Sequence, residues 1–121
     1  MKVFVYGTLR HGQVAHALLG NAALVACVWT DPEFTLLDMG EYPALLEGGR
    51  TPVRGEIYDI EPALLAALDE YEDCPRLYRR VQRMVAGHEV MLYVLPKERA
   101  LGRPALAHGD WCAPGSSDPA G

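Results

Sequence analysis

Two stretches of the chain carry groups that could do chemistry. The first is Val3-Phe4-Val5-Tyr6-Gly7-Thr8-Leu9-Arg10. A strand that stops at Gly7 and turns through Thr8 and Leu9 gathers several backbone N–H groups, with no side chain over the glycine. Such a nest is a receptor for a carboxylate or another anion. Gly7 is expected to end the strand because glycine reaches backbone angles that a side chain forbids. The same residues are equally an ordinary N-terminal strand with a glycine turn. The second stretch runs from Leu68 to Val81 and contains Glu72. Helical spacing puts Leu65, Leu68 and Glu72 on one face, so Glu72 points inward while Glu70 and Asp73 point elsewhere. A carboxylate beside a core is costly without a partner or a function, and desolvation raises its pKa towards neutrality, which suits a general base. Cys74 lies two residues further on, but no histidine is close in sequence to activate it as a nucleophile.

These residues need elements to hold them. Val3 to Tyr6 is an unbroken apolar run and reads as a buried strand. Gly12 to Leu19 suits two turns of helix ending at Gly20. Ala22 to Thr30, Phe34 to Leu37, Ala44 to Glu47 and Val53 to Ile60 read as strands, with a loop at Met39–Pro43 and a turn at Gly48-Gly49. Pro62 suits the first position of a helix. That helix runs to about Tyr71, with Leu64, Leu65, Leu68 and Tyr71 at helical spacing, and Asp73-Cys74-Pro75 ends it. Tyr78 to Val85 and Glu89 to Leu95 form a hairpin about Ala86-Gly87-His88. Short strands around one good helix make an α+β fold, mostly antiparallel, with a closed or partly closed β-barrel. Residues 1–112 read as one domain, and 113–121 as a disordered tail without a large apolar anchor.

The 121 residues are 50% hydrophobic and 22% charged, with a formal net charge of −5. That balance argues against a nucleic-acid partner. Arg76, Arg79, Arg80 and Arg83 would be split between two strand faces and read as a solvated edge. No apolar run approaches the roughly 20 residues of a membrane span, and the chain starts directly in a strand, so a cytoplasmic protein is expected. Cys27, Cys74 and Cys112 fit neither a disulfide framework nor a metal site, and His16, His88 and His108 are isolated.

Four motifs, in order, resemble the gamma-glutamylcyclotransferase-like (AIG2-like) family. They are Tyr6-Gly7-Thr8-Leu9, then Gly40-Glu41-Tyr42-Pro43-Ala44-Leu45, then Leu68-Asp69-x-x-Glu72 followed by Pro75-x-x-Tyr78-x-Arg80, and finally Gly109-Asp110-Trp111. The resemblance spans Lys2 to Trp111. Within it, Tyr6 to His16 is most similar to the branch that handles gamma-glutamylamines, where Gly-Gln and a His also follow the loop.

The resemblance implies a small barrel with flanking helices and a pocket at one end. It implies an enzyme without metal or organic cofactor, acting on a small gamma-glutamyl compound to release 5-oxoproline and an amine. Glu72 would be the catalytic base. Gly7, Thr8 and Leu9 would hold the substrate's α-carboxylate or the developing oxyanion. Tyr6, Tyr42 and Tyr78 are candidate pocket-wall hydroxyls, each equally a core tyrosine with its OH at the surface. Asp69 reads as structural, and Arg10 as a solvated arginine near the mouth. The alternatives are a non-catalytic small-molecule binding or regulatory domain on the same fold, and an interaction module using Met91–Leu95 as an edge strand. The sequence does not give the oligomeric state.

Overall fold

A computed structural model describes residues 1–111; the tail expected at 113–121, and Cys112, lie outside the described residues. Seven strands form, β1 (Lys2–Val5), β2 (Ala23–Trp29), β3 (Phe34–Asp38), β4 (Pro43–Glu47), β5 (Arg54–Asp59), β6 (Arg79–Val85) and β7 (His88–Val94), with one α-helix, α1 (Pro62–Tyr71). Of the expected helix after Gly12, only a 3₁₀ turn forms, His16–Leu19, closed at Gly20 with φ 59°. The hairpin turn is tighter than expected, because Ala86 and Gly87 both take positive φ and Val85 faces His88 directly.

Five strands pair in the order β2-β5-β1-β7-β6, and β3 and β4 form a separate ribbon. All pairs are antiparallel except β1 with β7, where Val3 lies opposite Met91. The ribbon curls over the sheet: Leu95, just beyond β7, donates its N–H to the Leu45 carbonyl at 2.8 Å, and Thr51 donates to Phe34 at 2.8 Å. The result is the α+β, partly closed barrel that the strand pattern implied. It removes the edge-strand interaction module, however, because β7 lies between β1 and β6 and has no free edge. β6 is an edge, and there Arg80 pairs with Asp69 and Arg83 with Glu47.

The central strand explains its own composition. Val3 and Val5 pack with Leu65, Leu68 and Tyr93 on the helix side, while Phe4 and Tyr6 pack with Leu36, Leu45, Ile57 and Leu92 inside the curl. A strand buried on both faces reads as a continuous apolar run instead of an alternating one. At its C-terminal end, α1 closes through a left-handed residue. Asp73 has φ 55° and donates its N–H to the Glu70 carbonyl, and Cys74 donates to the Asp69 carbonyl at 2.9 Å. This reversal satisfies the last carbonyls and stops the helix before Pro75 is reached. No helix among the described residues is long and apolar enough to cross a membrane.

Candidate active site

Where β1 ends and α1 ends, a pocket of about 340 Å³ opens. That is the lower end of the range for small-ligand sites. It brings together the expected catalytic base and all the expected substrate-binding residues, Tyr6, Gly7, Thr8, Leu9, Tyr42, Glu72 and Tyr78. It also takes in Glu41, Tyr71 and Tyr93, which sequence reasoning missed as wall residues.

The floor is the turn after β1. Arg10 donates its N–H to the Gly7 carbonyl at 3.0 Å and Ala15 donates to the Thr8 carbonyl at 2.9 Å, which pins the peptide groups of the loop. Among the described residues, the amides of Gly7, Thr8 and Leu9 donate to no other protein group. Gly7 is required for a reason other than the one expected. Its φ is not positive. Instead, an added Cβ would lie 2.5 Å from Cγ and 2.7 Å from Cδ of Pro43. A proline ring cannot swing aside, so the loop and the β4 entry would have to part. Gly7→Ala is therefore expected to destabilise the fold by about 1–3 kcal/mol, as overpacking of a close contact does; thermal unfolding of the two proteins checks this, and equal midpoints would refute it.

Glu72 lines the same pocket. It is the residue at which α1 ends, and its N–H bonds to the Leu68 carbonyl at 2.9 Å. The chain reversal at Asp73 holds it there. Among the described residues no side chain or amide hydrogen-bonds or ion-pairs with the Glu72 carboxylate. Burial pushes its carboxyl up from 4.5 to about 7. Desolvation thus brings this pocket-lining carboxyl near neutrality, the range in which a group can both take up and release a proton.

The tyrosines divide by what their hydroxyls do. Tyr6 contributes its ring to the wall and donates its O–H to the Tyr93 carbonyl at 2.7 Å within the core. Tyr78 donates to the Pro43 carbonyl at 3.2 Å. Its proton is thus committed, and what remains at its oxygen is a lone pair, an acceptor. Burial raises both phenols above the ordinary value, and the nearby Glu72 charge pushes both the same way, so they stay neutral. Tyr42 is 39% exposed at the rim. Tyr71, expected on the leucine face of α1, lies instead at the mouth, 46% exposed, with its OH 3.0 Å from Thr8 Oγ1. Tyr93 donates to Asp69 Oδ1 at 2.6 Å, and Arg80 pairs with the other oxygen of Asp69. Asp69 therefore fastens α1 to the β6–β7 hairpin.

Arg10 corrects the expectation of a solvated side chain. It is 9% exposed, with Nη1 2.7 Å from Asp110 Oδ1 and Nε 3.5 Å from Glu56 Oε2. Glu56 also accepts from the His11 amide at 2.9 Å and the Tyr58 hydroxyl at 2.8 Å. These bonds tie the loop from behind. Gly109, with φ 70° and its carbonyl bonded to the Arg54 amide at 2.8 Å, delivers Asp110 to this cluster. That is the structural content of the Gly109-Asp110-Trp111 motif.

The family model "Gamma-glutamyl cyclotransferase, AIG2-like" matches residues 3–113. The chain belongs to this family. A putative gamma-glutamylcyclotransferase of Vibrio cholerae is 40% identical over 110 residues, 91% of this chain and 94% of that protein. The bovine gamma-glutamylaminecyclotransferase is 40% identical over 93 residues, which are 69% of this chain but 55% of that longer protein. Among solved structures, a mouse AIG2-like protein superposes with a TM-score of 0.77 at 31% identity, covering 93% of this chain and 90% of that one. In the present AIG2-like chain the four motifs converge on one pocket and on the ion-pair cluster behind it.

Proposed function

We propose that the protein is a gamma-glutamyl cyclotransferase that converts a gamma-glutamylamine, or a similar gamma-glutamyl compound, to 5-oxoproline and a free amine. The observation that carries this reading is the Glu72 carboxylate, without a protein partner among the described residues and lining the same pocket as the free amides of Gly7, Thr8 and Leu9. The pocket offers the loop amides as donors for an anion, and the Glu72 carboxylate and Tyr78 oxygen as acceptors for an ammonium. A gamma-glutamyl group has both ions on one carbon.

Glu72 takes a proton from the substrate's α-ammonium. The freed amine attacks its own γ-carbonyl carbon, and the bond between that carbon and the leaving nitrogen then breaks. Protonated Glu72 gives that proton to the departing nitrogen, and the second proton that the attacking nitrogen sheds on ring closure follows the same route, so the amine leaves as an ammonium and the carboxylate is regenerated. The attack is intramolecular, so the main task of the pocket is to hold the chain in a reactive fold. The loop amides receive negative charge, either the bound α-carboxylate or the γ-oxygen as it is attacked. The Tyr78 oxygen accepts from the ammonium beside Glu72.

The test is release of 5-oxoproline from a panel of gamma-glutamylamines, gamma-glutamyl dipeptides and glutathione. Turnover of any member supports the reaction class. Ligand binding with no turnover anywhere would favour a small-molecule binding domain. The pH dependence carries a further expectation. A base must be ionised to act, so kcat/KM should rise about tenfold per pH unit below the Glu72 pKa and level off above about 7. A rate independent of pH between about 5 and 8 would remove Glu72 from this role.

A further inference from the structure

We infer that His16 is a positioning residue for the turn that receives negative charge. Its Nδ1–H, donated to the Leu9 carbonyl, orients and polarises the Thr8 amide through two intervening peptide groups, and so tightens the hold of the turn on the substrate. The role goes beyond Glu72 and the loop amides, and it rests on the cyclotransferase reading.

His16 does not line the pocket; it reaches the turn from behind. Its Nδ1 lies 3.0 Å from the Leu9 carbonyl oxygen, which can only accept, so Nδ1 carries the proton. The chain folds back to bring it there. Gln13 donates its N–H to the Arg10 carbonyl at 2.9 Å and Ala15 to the Thr8 carbonyl at 2.9 Å, so the next residue arrives beside Leu9. The imidazole is half-buried, with the Tyr58 ring centroid 5.8 Å away and that of His11 5.2 Å away. Tyr58 is itself held, because its hydroxyl donates to Glu56 at 2.8 Å.

The bond at Leu9 reaches Thr8 in two steps. The Leu9 carbonyl and the Arg10 N–H are opposite ends of one planar peptide group. That N–H donates to the Gly7 carbonyl at 3.0 Å. The Gly7 carbonyl and the Thr8 N–H are in turn opposite ends of the Gly7–Thr8 peptide group. Thr8 lines the pocket, and its N–H has no other partner among the described residues. In a chain of hydrogen bonds each donation makes the next donor stronger. The Leu9 amide is backed differently, since the Thr8 carbonyl at the other end of its peptide group accepts from the Ala15 backbone. A change of side chain at His16 therefore bears on the Thr8 amide and leaves the bond behind Leu9 in place.

Two substitutions separate the donor from the bulk. His16→Phe keeps a ring beside Tyr58 and removes the N–H, whereas His16→Asn offers an amide N–H in the place of Nδ1. With the best conjugate of the gamma-glutamyl panel, kcat/KM should fall about fivefold in His16→Phe, the worth of one ordinary hydrogen bond, and return to within about twofold of wild type in His16→Asn. A loss in KM would mean that Thr8 holds the α-carboxylate, a loss in kcat that it meets the γ-oxygen under attack, and either supports the role. The amide nitrogen resonance of Thr8 should move in His16→Phe and return in His16→Asn, while that of Leu9 keeps its place. An unchanged kcat/KM in His16→Phe, a loss that His16→Asn does not repair, or Thr8 and Leu9 resonances that move together would overturn the role of His16 and leave the cyclotransferase reading standing. Release of 5-oxoproline by wild type from no conjugate would overturn that reading, and the Thr8 resonance would still decide whether His16 polarises the turn.

Discussion

Glu72→Gln is expected to lower 5-oxoproline release by about 10²–10⁴-fold, the range typical of a lost general base. The amide keeps the shape of the side chain and cannot accept the ammonium proton. The same substitution is expected to stabilise the protein. Burial raises the folded-state pKa of Glu72 to about 7 from 4.5, so the folded chain holds this proton more tightly than the unfolded chain. Folding stability contributed by this group therefore falls as pH rises from the unfolded value through the folded one. Above about 7 the ionised carboxylate burdens the fold by roughly 1–3 kcal/mol, allowing for solvent in the pocket. Glutamine is free of that burden, so Glu72→Gln should be the more stable protein at about pH 8, with the margin fading towards about pH 4.5. Denaturant titrations at the two pH values, run beside the activity assay, read both effects. A variant with full activity, or one less stable than wild type at the higher pH, would contradict the role argued for this carboxylate.

Arg10→Met should have the largest effect on stability. The methionine keeps much of the buried stem but removes the charge that faces Glu56 and Asp110. Glu56 is 7% exposed and would be left with neutral partners only, the His11 amide and the Tyr58 hydroxyl. Breaking one side of a buried ion pair typically costs about 3–5 kcal/mol, much of it from the stranded charge. Pairing the change with Glu56→Gln should therefore recover part of the loss, a coupling that a double-mutant cycle measures. Because Arg10 immediately follows the Gly7–Leu9 turn, KM should also rise in Arg10→Met. Additive losses in the double variant would show that the two side chains do not act as a pair.

Much of this architecture was legible because local chemistry and global packing agree. Val3 to Tyr6 announced a buried strand, Pro62 marked the first turn of α1, and the offsets from Leu65 to Leu68 to Glu72 pointed the carboxylate inward, where it lines the pocket. What stayed hidden depends on long separations. Arg10 meets Glu56 across 46 positions and Asp110 across 100, so its neighbours in sequence suggested only a solvated cation. Gly7 looked like a residue chosen for its backbone angles, and the Pro43 ring that excludes a side chain there is known only from three dimensions. Tyr71 shared the spacing of the core leucines, but it ends α1 46% exposed, on the pocket wall and hydrogen-bonded to Thr8. Gly109 and Asp110 matched a motif whose purpose appeared once their contacts with Arg54 and Arg10 were in view.

The placement of β1 has a kinetic consequence. Of the five strands of the larger sheet, the first in sequence is the middle one in space, and it waits for β5 on one side and β7 on the other. Val3 cannot meet Met91 until nearly the whole described chain exists. Chains dominated by such distant pairings close slowly, on the order of milliseconds to seconds, because the entropy of the intervening loop is lost before any contact compensates. A nascent chain that stops short of the β6–β7 hairpin has the Gly7–Leu9 turn in its sequence but lacks Tyr78 and Tyr93 of the pocket wall. The pocket is thus among the last things this chain makes, and it arrives together with the completed sheet.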